Sequence, residues 1–169
     1  MDIYGRYYRL DEDTAARIGK GEVSVREYVL EGGAFMQSSC ALNIQKSWQV
    51  IHYVLTSGSG VTDNDNVLSK AVLGDNFINN EDLGFGPAMI TSRSEVKKIS
   101  SILGVISKKD FKSMFDFQNM LRKEIYSVNK AESESEFFEY IWCNFNSLQN
   151  IFREAAENSQ CIVFFLCSV

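Results

Sequence analysis

The sequence predicts an α+β fold in a single domain, 1–169, that is predominantly helical and has a small mixed β-sheet including strands from both chain ends. Two observations carry this prediction. Apolar residues in the last third of the chain recur at steps of three and four, as in a helix that buries one face. Residues near both ends instead alternate or form a short apolar run, as in strands. A chain of 169 residues without repeats or low-complexity linkers is the size of one domain.

The N-terminal quarter predicts one strand and two short helical segments. Residues 3–10 alternate well enough for a β-strand, and Asp11 is placed to cap a short helix that runs to Ile18. Residues 25–30 predict another helical turn, opened by a serine and stopped by glycines. Residues 33–42 give no clear pattern.

The stretch 43–74 predicts two apolar helices joined by a polar loop. Asn43 is a suitable N-cap for the first helix, which would end at Gly58. The apolar face of that helix follows steps of four, three and four, through Ile44, Trp48, Ile51 and Leu55. The second helix would run from Asn66 to Leu73, and Gly74 would end it.

The middle of the chain predicts a loop, a strand and a capped helix. Residues 75–87 are polar and rich in turn-forming residues, which favours a surface excursion. Residues 88–91 predict a short strand, with Pro87 acceptable only at its start. Ser92-x-x-Glu95 has the spacing of a capping box, and the helix it opens would end at Gly104.

The C-terminal half predicts more helix and one central strand. Ser107-x-x-Asp110 opens a helix with a break near Asp116 and an inward face of Phe111, Met114, Phe115 and Leu121. Ser133-x-x-Glu136 opens a long helix that would reach about Glu157 and cross the whole domain. The continuous apolar run 161–166 is typical of a strand covered on both faces, so we place it centrally in the sheet.

Several segments resemble a known family. KSWQVIHYVLTSG, followed by NVLSKAVLG, is similar to the core signature of the YfbM-like family of bacterial proteins, which is catalogued as a domain of unknown function. The resemblance continues in GFGPAMITSRSEVKKISSILGVIS and in the closing AAENSQCIVFFL, so it covers nearly the whole chain in one order. It implies a single α+β domain. It implies no activity, because none is established for the family.

Charge and hydropathy indicate in which compartment the protein lies and which classes of partner it can bind. The net charge of −5 argues against non-specific nucleic-acid binding, which needs a basic surface. The N-terminus lacks an apolar run of signal-peptide length. The longest apolar run, 161–167, is far shorter than the roughly 20 residues that span a bilayer. We therefore expect a cytoplasmic protein that binds neither nucleic acid nor membrane.

No metal or cofactor site is predicted. The four cysteines form no Cys-x-x-Cys pair, and the lone histidine cannot complete a typical zinc set, so we expect reduced, packed thiols. The run 63–66 begins like a calcium loop but lacks its glycine and its final glutamate. Residues 84–86 lack the third glycine of a dinucleotide fingerprint and lead into a strand.

Four residues are candidates for a ligand or partner site. Trp48 and His52 lie four apart and share a helical face. Asp63 can fold back towards His52, and Tyr126 is placed to form the rim of the same cleft. His52 is also the weak catalytic candidate, because the intrinsic pKa of a histidine side chain is near neutral. A packed structural role is the favoured interpretation of both His52 and Trp48, since single residues are weak signals.

These observations leave two functional hypotheses. The leading one is a non-enzymatic binding or interaction protein, in its most concrete form an immunity or antitoxin-type partner whose acidic surface meets a basic protein surface. The alternative is a small-molecule-binding protein or enzyme with a cleft around Trp48 and His52, in which the nitrogens of His52 are exposed. A homo-oligomer that pairs through the aromatic N-terminal strand is compatible with either.

Overall fold

The computed structural model describes residues 1–31, 39–58 and 66–168. The strands of the described residues are β1 (Ile3–Leu10), β2 (Ala41–Asn43), β3 (Asn76–Asp82), β4 (Pro87–Thr91) and β5 (Cys161–Ser168). The α-helices are α1 (Glu12–Gly19), α2 (Trp48–Leu55), α3 (Val67–Leu73), α4 (Arg93–Gly104), α5 (Lys108–Met114), α6 (Phe117–Arg122) and α7 (Glu134–Glu157). A π-helical turn at Glu27–Glu31 and a 3₁₀ turn at Gln45–Ser47 complete the described elements.

The strands form one sheet in the order β2-β1-β5-β4-β3. The two chain ends pair along their whole length, from Ile3 opposite Ser168 to Leu10 opposite Cys161. On its other side β5 pairs with β4, so β5 is the central strand, as predicted. The α+β fold with strands from both chain ends is confirmed. The mixed sheet was wrong, because every described pairing is antiparallel.

Each face of the sheet carries its own apolar core. Tyr7, Ile162 and Phe164 point to the face covered by helices α2 to α7. Tyr8 and Phe165, one position away, point to the opposite face, which α1 and the 24–31 segment cover. This is the alternation that a strand imposes, and it makes β1 and β5 apolar on both sides.

Helix α7 organises the larger core. Its 24 residues bury an apolar stripe against the sheet and the neighbouring helices, as its spacing predicts. The ring of Phe145 stacks on that of Phe111 from α5, with centroids 4.4 Å apart. Both rings are fully buried. Side-chain caps fix where these helices begin: Ser133 accepts from the amide of Glu136, and Ser107 forms a reciprocal capping box with Asp110.

Three local predictions were wrong. Asn43 ends β2 instead of capping a helix, and its side chain accepts from the amide of Gln45. Residues 75–87 contain β3, which pairs with β4. Met114 is partly exposed, not inward. The 33–42 stretch had no assignment, and its described end begins β2.

Within ranges 1–31, 39–58 and 66–168, no helix has the length and apolar character needed to cross a bilayer.

Candidate functional site

An open groove of about 860 Å³ lies where the N-terminus, the 3₁₀ turn and the segment before α7 meet. We call it the aromatic groove. It is lined by Asp2, Gln45, Lys46, Tyr126, Ser127, Val128, Asn129, Ala131, Glu132, Ser133, Glu136, Phe137 and Tyr140. Its walls therefore come from three stretches of chain that are far apart in sequence.

Trp48 and Tyr126 together hold the start of β1 beside the groove. The indole Nε1 of Trp48 donates to the carbonyl of Ile3 at 3.2 Å, and the amide of Ile3 donates to the hydroxyl of Tyr126 at 2.8 Å. The two rings lie 6.2 Å apart. Two of the four candidate residues are thus neighbours, although Tyr126 lines the groove and Trp48 does not.

Backbone and side-chain hydrogen bonds fix the groove's other wall. The amide of Tyr126 donates to the side-chain oxygen of Gln49 at 3.0 Å, and the hydroxyl of Ser127 donates to the carbonyl of Lys46 at 3.1 Å. Across the groove, the hydroxyl of Tyr140 donates to the side-chain oxygen of Gln45 at 3.3 Å. Burial raises the pKa of Tyr140, so this hydroxyl stays a neutral donor at physiological pH. These bonds give the groove a largely preformed shape.

The charged lining of the aromatic groove is mainly acidic. Lys46 is ion-paired with Asp2 at 3.0 Å, and this hydrogen bond raises the pKa of the lysine. Glu132 and Glu136 also line the groove. Neither carboxylate takes part in an ion pair recorded between described residues. The groove therefore offers aromatic rings beside negative charge, a combination suited to a cationic group.

His52 lies elsewhere, in the core between α2 and α3. It is 3% exposed, so the expectation that its nitrogens face a cleft was wrong. Its Nε2 lies 2.8 Å from the hydroxyl oxygen of Ser69 on α3. Desolvation lowers the pKa of His52, because burial penalises the charged imidazolium. The lone histidine is thus a neutral, hydrogen-bonded ring near pH 7.

Ser69 connects His52 to a second cavity, which we call the apolar hollow. This hollow of about 400 Å³ lies between α3 and the sheet. It is lined by Ser69, Lys70, Leu73, Gly74, Asp75, Phe77, Phe85, Gly86, Pro87, Met89, Phe164, Phe165 and Leu166. Sequence reasoning missed Ser69. The only sequence signal for Ser69 was a hydroxyl side chain on α3, the helix that follows the one that carries His52. Ser69 and His52 are 17 residues apart in sequence.

The remaining candidates do not form a site in the described residues. Asp63 lies outside them, so its predicted approach to His52 has no structural answer. No group of three or more histidine, cysteine or acidic side chains able to hold a metal occurs in the described part of the chain. None of the four cysteines forms a disulfide. Desolvation raises the pKa of the buried thiols of Cys161 and Cys167, which keeps them protonated.

Comparison with known proteins gives a family and a fold. Residues 1–165 match the model of a domain of unknown function, DUF1877. Among solved structures, the crystal structure of YfbM, a protein of unknown function from Escherichia coli, is similar with a TM-score of 0.75. The match covers 97% of this chain and 99% of that one, at 19% sequence identity, so it shows a shared fold. No curated protein matches the chain.

Proposed function

The chain belongs to the DUF1877 family, and from its geometry we propose a binding protein that holds a basic segment of another protein in the aromatic groove. The observation that carries the proposal is the composition of that groove. Tyr126 and Tyr140 stand beside Glu132 and Glu136 in one open cavity.

The size of the groove suits a short length of peptide. About 860 Å³ is towards the upper end of the range for sites that enclose a drug-sized ligand. Lysine and arginine side chains can lay their apolar stems against aromatic rings while their charged heads reach a carboxylate. The groove's fixed hydrogen bonds reduce the entropy lost on binding.

The charge of the whole chain supports the same partner. With a net charge of −5, the protein attracts basic surfaces over a distance set by the ionic strength. In its most concrete form, the proposal is an immunity or antitoxin-type protein that masks a basic surface of a toxin. Recovery of a basic partner by the wild-type protein, but not by a groove variant, supports that form.

A positional-scanning library of immobilised heptapeptides tests the proposal. We expect selection of lysine and arginine, and binding that weakens as salt rises because the charges are screened. The double variant Glu132→Gln, Glu136→Gln removes both groove carboxylates and should bind the selected peptides at least about tenfold more weakly, since 1.4 kcal/mol is tenfold in affinity.

The matched control removes two charges that do not line the groove. Glu134→Gln with Glu157→Gln alters the net charge equally; both residues belong to α7, and neither lines the groove. This control should keep wild-type affinity. Selection of acidic or neutral peptides, selection of none, or equal loss in both double variants contradicts the proposal.

A further inference from the structure

His52 and Ser69 form an arrangement that the proposed groove does not use. The imidazole Nε2 and the hydroxyl oxygen are 2.8 Å apart, within hydrogen-bond distance. The two residues are 3% and 5% exposed. A histidine nitrogen bonded to a serine hydroxyl is the pairing by which an enzyme removes the proton from a serine nucleophile.

The apolar hollow gives this serine a cavity that selects for apolar groups. Ser69 lines it together with aromatic and aliphatic side chains, which include Phe77, Met89 and Phe164. Phe77 is 63% exposed, so one wall of the hollow opens to solvent. Lys70 also lines it and is held by Asp75 at 2.7 Å. The hollow thus combines an apolar wall, a hydroxyl and the ion pair of Lys70 with Asp75, which also lines it.

We propose that Ser69 is a nucleophile for esters with an apolar acyl group, with His52 as its general base and the apolar hollow as the acyl site. The Ser69 oxygen forms a bond to the ester carbonyl carbon, and its proton passes to Nε2 of His52. The carbon–oxygen bond to the alcohol breaks, and the alcohol leaves with the proton from His52. The products of this step are an acyl-serine and a free alcohol.

Water completes the reaction. His52 takes a proton from a water molecule, whose oxygen attacks the acyl carbon. The bond to Ser69 breaks, and the serine oxygen recovers the proton, which releases a carboxylic acid. Lys70 supplies positive charge on the lining of the hollow, where the carbonyl oxygen develops negative charge.

The environment of His52 suits the role of base. Desolvation lowers its pKa, so the ring is neutral and able to accept a proton at pH 7. The reaction needs the tautomer that carries its proton on Nδ1, because only then can Nε2 accept from Ser69. Nitrogen-15 NMR of the imidazole distinguishes the two tautomers. A proton on Nε2 at pH 7.5 overturns the proposal.

Covalent labelling tests the nucleophile on the wild-type protein. A fluorophosphonate probe with a short alkyl chain phosphonylates activated serines, and peptide mass spectrometry locates the adduct. We expect the adduct on Ser69, no labelling in Ser69→Ala, and labelling slowed on the order of 10²-fold or more in His52→Gln. Hydrolysis of p-nitrophenyl butyrate should show the same order among the variants.

Ser47 provides the matched control. It is fully buried and its hydroxyl donates to the carbonyl of Ile44 at 2.5 Å, with no histidine beside it. Ser47→Ala should label like wild type. Wild-type protein that carries no adduct on Ser69, or a His52→Gln variant labelled at the wild-type rate, overturns the proposal without bearing on the aromatic groove.

Discussion

His52 is the single histidine in the chain, and its buried ring couples folding to pH near neutrality. The folded protein binds this proton less readily than the unfolded chain does, because desolvation lowers the pKa of His52 in the native state. As pH falls below about 6.5, the unfolded state takes up the proton first. The free energy of unfolding therefore decreases with falling pH, until the native ring also becomes protonated.

The variant His52→Gln tests this coupling. Its side chain can still bond to Ser69 but does not titrate. Between pH 7.5 and 5.5, we expect the stability advantage of wild type over the variant to shrink as pH falls, by at most about 1.4 kcal/mol per pH unit. Urea unfolding at several pH values measures this. An advantage that is constant or grows towards acid contradicts the assignment of a lowered pKa.

Gly74 is the residue where backbone conformation and packing exclude a side chain at once. It ends α3 with a φ of +81°, and its amide donates to the carbonyl of Lys70. A Cβ atom there would lie 2.4 Å from the Cβ of Met89. Gly74→Ala should lower the free energy of unfolding by more than about 1 kcal/mol.

The variant Gly84→Ala separates the cost of a positive φ from the cost of the clash with Met89. Gly84 also has a positive φ, of +109°, but a Cβ added there would meet nothing within 4 Å. We expect Gly74→Ala to be the more destabilising of the pair in thermal unfolding, because only it adds a clash. Equal losses would show that the approach of Met89 is unimportant.

At the scale of elements, α7 should supply much of the core's stability. Phe145→Ala removes a fully buried ring stacked on Phe111 and should cost about 3–5 kcal/mol. The control Phe77→Ala deletes the same group from a 63% exposed position and should cost about 0.5 kcal/mol or less. Denaturant unfolding measures the loss of unfolding free energy in both variants. Similar losses would show that the stacked Phe145 ring is not part of the stabilising core.

Elements with local signals could be predicted from the sequence. Helix α7 has its cap and its apolar period within its own residues, and the caps at Ser92 and Ser107 mark two more helix starts. Gly74 marks the end of α3, whereas Gly58, also at a positive φ, lies three residues beyond the end of α2 at Leu55. In these cases the physical cause lies within a few residues of the element, so the sequence pattern displays it.

Elements stabilised by distant partners could not be predicted. Strand β3 reads NFINNED and looks like a loop, because its partners come from elsewhere. Asn79 donates to the carbonyl of Ile18, and Glu81 accepts from Ser24 and from the amides of Val25 and Arg26. Burial opposes the charge on Glu81, but these hydrogen bonds together outweigh it and lower the pKa of the carboxyl group.

At the scale of the whole molecule, the pairing of the chain ends builds both the sheet and the aromatic groove. Strand β1 pairs with β5 along its full length, and the residue before β1, Asp2, reaches the groove with Lys46. Sequence reasoning placed Trp48 and Tyr126 in one region, and they are neighbours. It also placed His52 there, whereas the fold turns this ring towards α3 and Ser69. Trp48 and His52 lie one turn apart on α2, and periodicity does not show that the first meets Ile3 while the second meets Ser69.

The acidic residues of the groove were not predicted because, as for β3, the groups they meet come from distant parts of the sequence. Glu132 and Glu136 stand in a stretch rich in serine and glutamate, which reads as a solvated helix start. Only the approach of the N-terminus and the 3₁₀ turn makes them part of a cavity. The sequence around Glu132 and Glu136 does not show that these distant segments come together.

Where the peptide binds decides whether the aromatic groove is the binding site. Hydrogen–deuterium exchange of the protein, with and without the lysine- or arginine-rich peptide selected from the library, maps the amides that the peptide protects. The account predicts protection at 45–46 and 126–133, the two walls of the aromatic groove, and its loss in Glu132→Gln, Glu136→Gln. Protection confined to residues 73–77 beside the apolar hollow, or none on the groove walls, would contradict it.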